Sequence, residues 1–375
     1  MNLKIDGEKL IIFVVAVIAL IIVFGFAKFA SAPVGSVANI FQPDNNEQGL
    51  LHNFNLPEVE PEISLIFTGD IMLSRTVNAK MEKYDNYNWP FNQVSDFLNE
   101  ADIVVGNLES PFLKGSSNYE VLTGSFSFKA NPLAVEGLKF SNFSLLSLAN
   151  NHTINQGKQG IIDTIAILEE NGIRYVGAGL NEEEARRAEI ITVKGYNFAF
   201  LAYAYPEDYS IADNNRAGIA DMNAEKMKED IKLLKKMDRQ PDLIVVLLHA
   251  GNEYDLMPNW QQKTFAKAAI EAGADLVLGH HPHCPQLFDF YQDKPIIYSL
   301  GNFVFDQMWS KETRQGLLLK VIWQDGIKSL ELIPSKIYDY GQVKILNSEI
   351  EEEKKERDEI LTRIQANISG LIYER

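Results

Sequence analysis

The chain has 375 residues, enough for one large domain or two ordinary ones, and 46% of them are hydrophobic. Its 51 Asp+Glu against 35 Lys+Arg give a formal net charge of −16. That is the wrong sign for a duplex-binding surface, so nucleic acid is not an expected partner. A single cysteine, Cys284, excludes an internal disulfide.

In chain order, the first feature is the uncharged apolar run Leu10–Ala27. At ~1.5 Å per residue it would span about 27 Å as a helix, close to the ~30 Å hydrocarbon core of a bilayer. Residues 1–9 are accordingly predicted to be a short cytoplasmic tail and residues 10–28 a transmembrane signal anchor. A cleaved signal peptide is the competing reading, with Ala30-Ser31-Ala32 as its cleavage site. The run exceeds the ~7–15 residues of a signal core, which favours the anchor. Either way the rest of the chain is expected outside the cytoplasm. Residues 29–61 hold Pro33, Pro43, Pro57 and Pro61 around a polar stretch and read as an extracytoplasmic linker.

Residues 62–345 read as one α/β domain. Strands are predicted at 63–68, 102–106, 143–148, 173–176, 190–194, 197–203, 242–248, 275–279 and 295–299. Helices are predicted at 92–99, 132–139, 157–171, 223–237 and 259–272, with a late hairpin, 316–323 and 327–333, turning at Asp325-Gly326. The charge-dense run from Glu349 to Arg357 opens a C-terminal helical tail, 346–375, predicted to be solvated.

Polar residues gather where predicted strands end. They are Gly69-Asp70, Gly106-Asn107-Leu108-Glu109, Ala149-Asn150-Asn151-His152, His249 to Tyr254 with Glu253, Gly279-His280-His281-Pro282-His283, and Gly301-Asn302 to Asp306. In open α/β sheets, ligand sites lie beyond the carboxyl ends of strands, so the six clusters can converge on one crevice. Five of the six histidines fall in them. With Asp70, Glu109 and Asn151 they form a candidate shell for Zn, Mn or Fe, and the lack of thiolates argues against a soft structural zinc site. Taken singly, Asp70 reads as a turn residue, Asn151-His152 as a helix cap and His249 as a core histidine. Three imidazoles within His280–His283 rarely serve packing alone. The glycines at 69, 106, 251, 279 and 301 are expected to let the backbone turn sharply.

These stretches, in this order, resemble the CapA family of bacterial capsule and poly-γ-glutamate biosynthesis proteins over roughly residues 63–307. That family is in turn similar to the calcineurin-like metallophosphoesterases. The resemblance implies a four-layer α-β-β-α sandwich, preceded here by one N-terminal transmembrane helix. It also implies two divalent metal sites. Asp70, Glu109 and His283 match the ligands of the first; Glu109, Asn151, His249 and His281 match those of the second. His152 matches the histidine that protonates the leaving group.

The chain departs from the pattern in three places. Met72 stands where a histidine ligand is expected, so one tight and one weak metal site are predicted. Glu109 replaces a bridging Asp. Asn155 replaces an Asp of the capsule family, which removes a charge and an orienting partner for His152. Asn107, Asn150, Glu253, His280, Asn302 and Asp306 are candidates for substrate binding or for support of the ligands.

Two functions follow as expectations. One is a metal-dependent hydrolase or transferase at the cell surface, acting on an anionic polymer or its precursor. The other is a non-catalytic accessory subunit of a membrane polymer synthase or exporter, with a structural or relic metal site.

Overall fold

A computed structural model describes residues 60–115, 126–205, 209–364 and 372–374. The chain divides after Glu58 into two units, and the first lies outside these residues. So does the predicted anchor at 10–28. Among the described residues no helix is long and apolar enough to cross a membrane.

The fold is mixed α/β, organised by two sheets. Across the nine-stranded sheet the strands run Gln342–Ile345, Ile327–Tyr338, Gln315–Trp323, Ile63–Ile71, Ile103–Leu108, Phe143–Ser147 and Arg174–Val176. Two further strands join it: Asn302–Val304 pairs with Ile63–Ile71, and Ile372–Glu374 with Ile327–Tyr338. The six-stranded sheet runs Phe288–Tyr291, Lys294–Ile297, Leu276–His280, Leu243–His249, Tyr196–Ala204 and Glu189–Val193. Its four inner strands are parallel and nearly continuous in apolar residues, as strands covered on both faces must be.

Alternation along the strands shows what each face meets. Phe198, Phe200, Leu243, Val245, Leu247, Leu276 and Leu278 share a core with Leu65, Phe67 and Trp323 of the larger sheet. Phe67 meets Phe200 with ring centroids 6.5 Å apart, and Phe198 meets Trp323 at 5.5 Å. The alternate residues, Ala199, Leu201, Tyr203, Ile244, Val246 and Leu248, pack on Met227, Ile231, Phe265 and Ala269. Those four lie on helices Ala224–Leu234 and Trp260–Ala272. The sheets therefore face each other, and two helices cover the far face of the smaller one. Helix Trp260–Ala272 is closed by an Asn259/Gln262 capping box at one end and by Gly273, at φ 114°, at the other.

The predicted hairpin forms, with Asp325 and Gly326 both left-handed (φ 52° and 130°). The predicted solvated tail is corrected. Helix Glu351–Ile364 buries Ile360, Leu361 and Ile364 in the main core. Glu353 pairs with Lys344 at 2.7 Å, and Gln315 donates to Glu356 at 2.9 Å. Apolar residues at i, i+1 and i+4 give this charged helix an inward stripe.

The glycine expectation is also corrected in part. Gly251 and Gly301 do adopt positive φ, 125° and 70°. At Gly69 the reason is close approach: a Cβ there would lie 1.9 Å from the Gly301 carbonyl oxygen. Gly106 and Gly279 are likewise excluded from bearing a side chain by contact rather than by torsion.

Candidate metal centre

Strand register lines up the site before any side chain is considered. In the larger sheet Asp70 is level with Asn107 on one side and Asn302 on the other. In the smaller sheet His280 is level with His249. Asp70, Asn107, His249 and His280 sit at carboxyl ends of parallel strands, Asn302 opens the short strand beside Asp70, and all five are buried. His281 and His283 follow on a loop where both take positive φ, 95° and 58°, which is costly for non-glycine residues and typical of functional loops.

The donor atoms converge on Glu109. Oxygen and nitrogen atoms of Asp70, Glu109 and His283 lie within 4.8 Å of one another, close enough to hold one metal ion. His283 Nε2 is 3.7 Å from Glu109 Oε1, and His283 Nδ1 is 3.4 Å from Asp70 Oδ2. A second group adjoins it. His249 Nε2 is 3.0 Å from Asn151 Oδ1, 3.1 Å from His281 Nδ1 and 3.9 Å from Glu109 Oε1. His152 Nε2 approaches the same oxygen at 3.8 Å. Every ligand and catalytic candidate named from the sequence is therefore in one place.

Electrostatics mark the same point. Burial, then the neighbouring Asp70 charge, push the Glu109 carboxyl well above its usual range. Both its oxygens are buried without a hydrogen-bond partner. Burial also opposes charge on Asp70, but His283, His280 and the Asn107 amide hold its carboxyl below the ordinary value. Burial lowers His249 well below its usual range and takes His152 and His281 to about 4, so these rings are neutral at pH 7 with lone pairs to offer.

Supporting residues set the rings. Asn302 donates to Gln307 Oε1 and to the Thr313 carbonyl, each at 2.9 Å, which turns its own oxygen to His283 Nδ1 at 2.9 Å. His283 Nε2 is thereby left facing Glu109. Asn107 donates to Asp70 at 2.8 Å and accepts from Asn150 at 3.1 Å. Asn150 also accepts from the His152 backbone N–H. His280 bonds the Thr68 carbonyl at 3.1 Å and ties the two sheets together. Glu253 is exposed, and its charge favours the protonated forms of His152 and His281.

One expectation changes, at Asn155. Asp306, expected to bind substrate or support the ligands, pairs with Arg75 and accepts the Thr76 N–H at 3.2 Å. Asn155 keeps its hold on His152, because its amide oxygen lies 2.9 Å from His152 Nδ1 and also accepts the Phe128 N–H. Only the charge of an Asp is lost, not the orienting contact. Met72 is buried in the core, and its sulfur accepts the Ser74 N–H at 3.1 Å.

Sequence reading missed Arg75, which opens the unpredicted helix Arg75–Lys83. It also missed Phe128, whose ring stacks on His152 at 4.0 Å. Arg75 carries one local signal, a cation shortly after the Gly-Asp cluster. Nothing near Phe128 in sequence points to the site.

Residues 64–307 match the family model described as bacterial capsule synthesis protein PGA_cap. The chain belongs to this family. Its relatives include the capsule biosynthesis protein CapA of Bacillus anthracis, 34% identical over 78% of this chain and 72% of that one. The PGA biosynthesis protein CapA of Bacillus subtilis (strain 168) is 32% identical over 74% of this chain and 72% of its own length. Among solved structures, a hypothetical protein from Thermus thermophilus covers 74% of this chain and all of its own, at 13% identity and a TM-score of 0.47. That last likeness is too distant to bear on activity. The family match stops at 307, yet the strands beyond it complete the larger sheet around Ile63–Ile71.

The Asn155 contact yields a test. Asn155→Asp restores a charge beside His152 Nδ1 and favours the imidazolium, so the His152 pKa should rise from about 4 by roughly 1–2 units. Histidine NMR titration of the two proteins measures this; an unchanged or lower value contradicts the contact.

Proposed function

We propose that this family member is a membrane-anchored, extracytoplasmic protein of capsule or poly-γ-glutamate biosynthesis with a metal-dependent, phosphatase-like hydrolase or transferase site. The carrying observation is Glu109, a buried carboxylate with no hydrogen-bond donor, facing three imidazoles within 4 Å. A buried charge without a partner is costly, and a divalent cation, Mn, Zn or Fe, is the partner this oxygen-and-imidazole donor set suits. The four-layer arrangement of a calcineurin-like phosphoesterase belongs to the same reading.

Asp70, Glu109 and His283 would hold one ion, and Glu109, Asn151, His249 and His281 the other. A bound cation supplies Lewis acidity at a phosphoryl or carbonyl oxygen. The chain's residues do the rest. Asn302 and Asn107 fix the donor rings and Asp70. His152 keeps its Nδ1 proton on Asn155 and exchanges a second proton at Nε2 with the reacting oxygen. Neutral at rest, it gains that proton more readily with Glu253 nearby. With Met72 bonded to Ser74, the first site has three ligands against four, so it is the weaker. The substrate is an anionic polymer or its precursor, and membrane polymer-synthase subunits are the natural partners of a chain held at residues 10–28.

Metal analysis of the full chain, purified in detergent and assayed on a phosphomonoester and a γ-glutamyl peptide, tests the site. The expected result is about one tightly held ion per chain, a second bound only at high metal concentration, and hydrolysis of one of the two substrates. His249→Ala should lose the tight ion by more than ~100-fold in affinity, and His283→Ala only the weak one. Retention of tight metal by His249→Ala contradicts the assignment. Metal without turnover leaves the accessory role in its place.

The topology has its own test. Protease added to intact spheroplasts should digest the domain and leave a membrane-embedded N-terminal fragment. A fully protected domain contradicts the extracytoplasmic placement.

A further inference from the structure

We propose that Arg75 is the anion-recognition residue of the Glu109 centre, taking a phosphate or carboxylate oxyanion at its mouth. The inference rests on reading that centre as the reacting site.

Arg75 is held by the same two aromatic rings that hold the site's imidazoles. Its guanidinium carbon lies 4.7 Å from the Phe128 ring centroid and 5.7 Å from that of Phe305. Phe128 stacks on His152 at 4.0 Å, and Phe305 meets His283 edge-on at 4.8 Å. The cation is thus one ring away from each of two imidazoles that flank Glu109. Its charge reaches the centre, where it opposes the burial that raises the Glu109 carboxyl.

The side chain is fixed yet not used up. Asp306 pairs with one terminal nitrogen and also takes the Thr76 N–H, which anchors the start of the helix. The Arg75 Nε is buried with no acceptor, while the side chain as a whole stays 26% exposed. A planar guanidinium that keeps part of its surface open to solvent and is backed by two aromatic rings is pre-organised for an oxyanion. At the mouth of the site such a cation offsets the carboxylates of Asp70, Glu109 and Glu253 in a chain of net charge −16, and so adds to the attraction for an anionic substrate. The residue sits at φ 48°, a strained torsion for a non-glycine residue.

The test is calorimetric titration of the full chain in detergent, at low salt, with inorganic phosphate and separately with glutamate. It uses wild type, Arg75→Gln, Arg75→Lys and Asp306→Asn, with the metal content of each measured. Wild type should bind at least one of the two anions, and the arm that binds identifies the oxyanion. Arg75→Gln should weaken that binding by about 10–100-fold with metal content unchanged, and Arg75→Lys by less. Asp306→Asn releases the guanidinium, so it should bind the anion at least as tightly as wild type while melting at a lower temperature. Equal affinity in Arg75→Gln overturns the proposal. So does a loss in Asp306→Asn as large as that in Arg75→Gln, which would make the pair merely structural, and so does wild type binding neither anion. A chain that holds no metal but whose anion affinity still falls in Arg75→Gln upholds Arg75 and refutes the metal reading instead.

Discussion

A carboxylate with nothing to bond to is the constraint around which the rest of the domain is arranged. Glu109 is fully buried, with both oxygens unpartnered and three imidazole nitrogens held just beyond hydrogen-bond distance. An isolated charge in that position costs several kcal/mol. A fold bears such a cost where the charge has a partner, and the surrounding carboxylate oxygens and imidazole nitrogens are of the kinds that bind metal ions. Neutral imidazoles and a low-lying Asp70 carboxyl are the protonation states that coordination needs.

The two-sheet architecture is what makes that crowding tolerable. Each sheet delivers its site residues at strand ends, so apolar stretches can fill the space between the sheets. The larger sheet contributes Asp70, Asn107 and Asn302 in register, and the smaller contributes His249 and His280. The amides fill the space among the donors. Asn302 orients His283, Asn107 steadies Asp70, and Asn155 holds His152. Amides do this without adding charge to a centre that already holds two carboxylates.

Much of this was legible in the sequence because strand runs such as Leu243–Leu248 and Leu276–Leu278 are unbroken apolar stretches that end on glycine, histidine or asparagine. The family resemblance supplied the grouping of ligands, which spacing alone does not. What escaped were contacts made across long separations. Arg75 meets Phe128 and Asp306, 53 and 231 positions away, on a helix whose buried residues are only Val77 and Met81. Helix Glu351–Ile364 looked solvated because its first two turns are charged, and its inward stripe comes only at the end. Gly69 looked like a turn residue, whereas it is small because the Gly301 carbonyl passes against it. Asn155 looked like a lost partner because charge was equated with hydrogen bonding, and an amide oxygen serves the second without the first.

A cation against Glu109 is what the proposed site requires. Anomalous diffraction from crystals of the domain grown with manganese tests it most directly, with data collected on the high-energy side of the metal edge. A strong peak is expected within ~2.0–2.3 Å of a Glu109 oxygen and of His249 and His281 nitrogens, with a weaker second peak toward Asp70 and His283. Well-diffracting crystals with no peak at Glu109, and a carboxyl there bonded as a neutral acid to the protein, would contradict it.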